Sequence, residues 1–280
     1  MSYKSLATFL TDPMTVDIAL DAAIRLARDH DAHLEVYCIG IDHTQPGFFY
    51  AGAPAIVYQE TLDQARAEAR ALEKAARARL EPEHLRWSAD SGVAQLGGLS
   101  DLVALHGRFS DLVIQPRPYG EGRGHAAEAA LEAALFEAGA PVFVVPDKGL
   151  ARGRIGKRIV IGWNQSNEAL NAVRRALPLL VAAEHVNIAV IDPRPQGAER
   201  SDPGGMLCQM LVRHGVKAEV SVIARTLPSV SEMLARQVRD QDADMLVMGA
   251  YGHSRLREAI LGGATRNMLE RTEVPVFMAR

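Results

Sequence analysis

The chain reads as α/β, with two doubly wound parallel five-stranded sheets in tandem, and three observations carry that reading. Apolar runs of strand length alternate with alanine-rich helical patterns along all 280 residues. The strand runs are apolar nearly throughout, as expected for parallel strands buried on both faces. The second half also repeats the first. "DLVIQPRPYGEGRGHAAEAALEAALFEAGAPVFVVPD" begins at Asp111 and "DMLVMGAYGHSRLREAILGGATRNMLERTEVPVFMAR" at Asp244, an offset of 133 that becomes 134 at Pro141 and Pro275.

The elements follow in order. "SLATFLTD" (5–12) and "RIVIGWNQ" (158–165) are first strands, apolar runs that end in polar residues. "HLEVYCIGID" (33–42) and "HVNIAVIDP" (185–193) are second strands, both reaching Ile-Asp. "LRWSAD" (85–90) and "AEVSVIA" (218–224) are third strands, and the runs at 111–115 and 244–248 are fourth. "APVFVV" (140–145) and "VPVFMA" (274–279) close each repeat, with proline at the strand start, where no ladder donor is lost. Helices are expected at 16–29, 59–80, 94–108 and 126–138, then at 167–182, 203–214, 229–241 and 265–272. "VPDKGLARGRIGKR" (145–158) reads as the linker, so the domains are 1–147 and 156–280. The two closing strands fall last in their sheets. As apolar edges they would be an aggregation hazard unless they pair with one another, antiparallel, to make an intrachain pseudo-dimer.

Bulk composition excludes several classes. The residues are 48% hydrophobic and 23% charged, which suits a packed core rather than disorder. A net charge of −3 argues against a nucleic-acid partner, which needs a basic face. No apolar run approaches membrane-span length, and the N-terminal run is too short for a secretory signal. The two cysteines, Cys38 and Cys208, fall in different halves and form no C-x-x-C, as in a reducing, cytoplasmic setting. No spacing around His30, His33, Asp42 and His43 matches a structural zinc set, so no metal ligand is assigned.

The informative stretch is "MGAYGHSRLREAILGGAT" (248–265), directly after the fourth strand of the second half. Gly249 and Gly252 offer bare backbone N–H groups at the strand tip. Gly262 and Gly263 open the last helix, whose first N–H groups lack partners and whose dipole favours an anion. Doubly wound sheets seat ligands at the carboxyl ends of strands, where strand order reverses. The loop is therefore placed to hold phosphate between two small-residue edges. His253 and Arg255 within it can reach an anion, and Ser254 reads as a helix cap. "GEGRGHAA" (120–127) mimics a dinucleotide fingerprint, but six residues separate the strand's end at Gln115 from its first useful glycine, Gly122, and it follows a fourth strand rather than a first.

With Gly249, Gly252 and Gly262 spaced as Gly-x2-Gly-x9-Gly, the stretch 244–279 resembles the carboxyl end of a universal stress protein domain, and both halves together resemble a tandem universal stress protein. The family's next residue is Ser or Thr. Here it is Gly263, followed by Ala264 and Thr265. The resemblance implies the adenine nucleotide alpha hydrolase-like fold and bound ATP (or AMP or ADP), with Mg2+ as an accompanying ion. It places the phosphates on the glycine loop and the adenine edge on main chain near Val190. The ribose faces the acid after the first strand, a position held here by Asn164. In the first half, Gly249 and Gly252 correspond to Pro116 and Tyr119, although Asp12 keeps the acid. Proline has no N–H for a phosphate, so the first copy is read as degenerate. The implied function is a nucleotide-binding stress-response regulator. Two alternatives are a slow ATPase or nucleotidyl transferase and a nucleotide-free assembly scaffold. Against catalysis, no Gly-Lys-(Ser/Thr) loop and no acid–base pair stand beside the glycines. A homodimer of the pseudo-dimer is also compatible with the resemblance.

Overall fold

The computed structural model describes residues 2–43, 55–120, 123–193, 202–250 and 263–280. The chain divides into two compact units, Ser2–Ala140 and Pro141–Arg280. No helix among the described residues is long and apolar enough to cross a membrane.

The first unit contains β1 (Ser5–Leu10), α1 (Val16–His30), β2 (His33–Asp42), α2 (Ala55–Leu80), β3 (Arg86–Gln95), α3 (Leu99–Gly107), β4 (Leu112–Pro116) and α4 (His125–Phe136). Its strands lie in the order β3-β2-β1-β4, all parallel. α1 shows why the alanine-rich segments are helical. Ala19, Leu20, Ala22, Ala23, Ile24, Leu26 and Ala27 form one buried face, and Asp31 ends the helix in the left-handed region at φ 49°. On β2, Leu34, Val36 and Cys38 are buried at alternate positions. Gly40 on that strand has a single packing purpose: a Cβ there would stand within bonding distance of the Ala65 carbonyl oxygen, so only glycine lets α2 settle on β2.

The second unit contains β5 (Val142–Val145), β6 (Arg158–Gly162), α5 (Asn167–Arg175), α6 (Leu177–Ala182), β7 (His185–Ile191), α7 (Gly205–Arg213), β8 (Ala218–Ile223), α8 (Val230–Asp240), β9 (Met245–Gly249), α9 (Gly263–Arg271) and β10 (Val276–Ala279). The order is β5-β10-β9-β6-β7-β8. From β6 the chain steps outward through β7 to β8, then returns to the other side of β6 as β9, so strand order reverses between β6 and β9. α8 starts on a complete capping box, in which the Ser229 hydroxyl accepts from the Glu232 N–H and Glu232 accepts from the Ser229 N–H.

β5, which belongs by sequence to the first repeat, packs in the second unit. It pairs antiparallel with β10, with Val144 opposite Val276, Phe143 opposite Phe277 and Val142 opposite Met278. Phe143 and Phe277 are repeat counterparts, so the pairing is centred on equivalent residues. This is the partnership expected of two apolar closing strands, and it covers one long edge of β10 while β9 covers the other.

Two expected helices differ. The segment 94–108 is extended as far as Gln95, passes through a short 3-10 turn at Leu96–Gly98, and is helical only from Leu99. β2 is ten residues long and pairs with β3 residue for residue to Asp42–Gln95, which holds Ala94 and Gln95 in the sheet. Gly97 and Gly98, weak helix formers, then delay the helix. The expected helix 167–182 is broken at Ala176 into α5 and α6. Pro178 is the cause: with no N–H it cannot continue α5, but it is tolerated in the first turn of a new helix.

Candidate functional site

Strand order reverses between β6 and β9; of the predicted residues, Asn164 follows β6, Gly249 ends β9 and Val190 lies near the end of the neighbouring β7. Gly249 ends β9 and lies opposite Ala279 of β10. Its neighbour on the other face is the start of α5: a Cβ at position 249 would lie 2.5 Å from the Ala169 nitrogen and 2.8 Å from the Glu168 carbonyl carbon. Glycine is therefore required here by helix packing, whatever the loop beyond it holds. That role depends on a helix some 80 residues earlier in the chain, and the motif spacing gave no sign of it.

Asn164 follows β6 and is already engaged. Its Oδ1 accepts from the Ser166 N–H at 3.1 Å, and the Ser166 hydroxyl in turn accepts from the Ala169 N–H at 3.1 Å, capping α5. Gln165 between them takes the left-handed conformation, φ 63°. The side chain of Asn164 thus shapes the turn with its oxygen and keeps its amide N–H2 for other partners. Val190 is 3% exposed near the end of β7 and faces Gly204, the residue before α7. Gly263 and Ala264 are the first two residues of α9, and Thr265, third in the helix, is buried. Gly252, His253, Ser254, Arg255 and Gly262 lie outside the described residues.

Trp163 stands beside these residues, and its sequence context favours a core position over a stacking platform. It is 8% exposed, and its backbone N–H donates to the Ala189 carbonyl at 3.0 Å, which continues the ladder one residue past β6.

The matching place in the first unit is built differently. Asp12 accepts from the Met14 N–H at 2.9 Å and caps the turn Pro13–Thr15. Pro116 ends β4, and the buried Tyr119 donates its hydroxyl to the Glu128 carboxylate at 3.3 Å. Glu128 lies in the first turn of α4, so this helix start carries its own anion. Burial and the nearby Glu128 charge push the Glu132 carboxyl upward from its usual range.

Other chemistry is sparse. Cys38 is fully buried and burial pushes its thiol up to about 12, while burial also raises that of Cys208, so neither has the lowered pKa of a nucleophile. Both are free thiols. Among the described residues, no three carboxylate, imidazole or thiol side chains gather closely enough to hold a metal ion.

A parallel sheet whose order reverses beside a glycine-ended strand and a helix start defines the class of doubly wound α/β domains that seat ligands at strand tips. Residues 156–280 match the model of the universal stress protein family. A universal stress protein of the cyanobacterium Synechocystis sp. is 35% identical over 72 residues. That match spans 26% of this chain and 24% of the relative, so the chain aligns with about a quarter of the relative's length. Among solved structures, a universal stress protein from Archaeoglobus fulgidus superposes with a TM-score of 0.70 at 11% identity, over 98% of this chain and 96% of that one. A protein of unknown function from Pseudomonas aeruginosa superposes with a TM-score of 0.62 at 14% identity, over 99% and 92%. At these identities the likeness is one of fold.

Proposed function

We propose that the second unit binds one adenine nucleotide, foremost ATP, as a regulatory ligand in a cytoplasmic stress response, with no appreciable turnover. The observation that carries this reading is the juxtaposition at the β6–β9 reversal. The strand tip at Gly249 is followed by the glycine motif of the family, and α9 begins at Gly263 with its first N–H groups unpaired within the helix. Phosphates lie between the strand tip and that helix start, and the base lies toward Val190. Magnesium, if carried, is held by the polyphosphate itself. The first unit is left out because Pro116 and Tyr119 replace the first two glycines and Glu128 already supplies negative charge at its helix start.

The test is direct. Mass spectrometry of gently denatured protein is expected to show co-purifying adenine nucleotide, and calorimetric titration of stripped protein one site per chain. ATP at about 100 times its dissociation constant should stabilise the fold by roughly 2.7 kcal/mol, read as a rise in melting temperature. Gly252→Glu, which sets a carboxylate where phosphate would lie, should abolish that rise while leaving the far-ultraviolet dichroism unchanged. Two sites per chain, or hydrolysis at an enzyme-like rate of about 10 per second, would overturn the reading, and wild-type protein blind to nucleotide would favour the scaffold alternative.

A further inference from the structure

We infer that the indole N–H of Trp163 is a hydrogen-bond donor to the nucleotide of the second unit, an assignment that rests on the reading above. Gly162 pairs with Ala189 on one side and Met248 on the other. The next residue, Trp163, is therefore flanked by Val190 and Gly249, at the carboxyl tips of three adjacent strands where the sheet order reverses. Its backbone is held there by the bond to Ala189. Its side chain is nine-tenths buried, and Nε1 is shielded from solvent without a hydrogen-bond partner among the described residues. Buried indole N–H groups are nearly always paired, because a buried donor left unmade loses its hydration for nothing. The adjacent Asn164 has its side-chain oxygen committed to Ser166 and presents its amide N–H2. The tip of β6 thus offers donors, Trp163 Nε1–H and Asn164 Nδ2–H2, at the place where the family resemblance puts an acid. The partner these donors fit is an acceptor oxygen of the ribose-phosphate moiety. An orphan donor in a core that merely needed apolar volume would have no such partner, and phenylalanine would fill that volume as well.

The experiment uses the full chain with Trp87→Phe. Trp87 lies on β3 of the first unit beneath the Arg77 guanidinium, so the substitution leaves Trp163 as the sole tryptophan. ATP is titrated in while the indole 1H–15N resonance of Trp163 is followed, and ATP affinity is measured in parallel for Trp163→Phe. The expected result is a displaced indole resonance at saturation and an affinity lowered about five- to tenfold, the size of one hydrogen bond. ATP binding with an unmoved indole resonance overturns the assignment even if Trp163→Phe binds less tightly, since that loss would come from packing. Unchanged affinity in Trp163→Phe overturns it as well. In both cases nucleotide binding by the parent protein leaves the wider reading standing. Absence of ATP binding by the parent protein overturns both.

Discussion

Phe277→Ala is expected to destabilise the second unit by about 3–5 kcal/mol, measured as a lowered urea midpoint with an unchanged slope. Phe277 is fully buried in the middle of β10, between β5 and β9. Truncation removes a large apolar side chain and leaves a hole that close-packed neighbours can only partly refill. Its counterpart Phe143 is equally buried and lies directly opposite. Phe143→Ala is therefore expected to cost a similar amount, and the double variant less than the sum, because neighbouring sites share one cavity. A loss below about 1 kcal/mol for Phe277→Ala, the scale of an exposed change, would contradict the burial of the β5–β10 pair.

Gly249→Ala is the second large effect, and it runs against the usual benefit of replacing glycine by alanine. The added carbon would meet the Ala169 nitrogen at 2.5 Å, a backbone atom in the first turn of α5 that no rotamer change can clear. α5 must shift, or β9 must bend away from it, at an expected cost of about 1–3 kcal/mol. The displaced turn includes the cap that Ser166 gives to Ala169, and through it the position of Asn164. Thermal unfolding of the nucleotide-free protein checks the first effect. A melting temperature equal to that of the parent would mean that α5 does not rest on this strand tip.

Much of the architecture was legible because the strands are nearly continuous apolar runs and the helices are dense in alanine and leucine. β6, β9 and α8 fall where those patterns put them. The misread boundaries came from contacts that no local pattern contains. Ala94 and Gln95 are extended because β2 supplies partners for them. The break at Ala176 was readable, since Pro178 stands in the sequence, but the amphipathic run continued through it and masked the signal. The site was legible as a place more than as a set of roles. Gly249 was visible as a glycine at a strand tip, yet its contact with Ala169 depends on tertiary packing. Asn164 was visible as a departure from an acid, but not as the acceptor that closes the turn before α5. Trp163 looked like an ordinary core residue, and only its unpaired Nε1 sets it apart.

The placement of β5 has a consequence during translation. Its partner β10 lies roughly 130 residues later in the chain. At the ribosome's usual pace of about 5–20 residues per second, the run Val-Phe-Val-Val leaves the exit tunnel roughly 7 to 26 s before β10 is available to it. For that interval the edge of these four bulky apolar residues that will pair with β10 stays open, while the rest of the second unit is still being made. Nascent chains crowded on one messenger would bring identical waiting strands close together. The gap between synthesis of these two short segments is therefore the period in which this chain is most exposed to capture by a neighbour or by a chaperone.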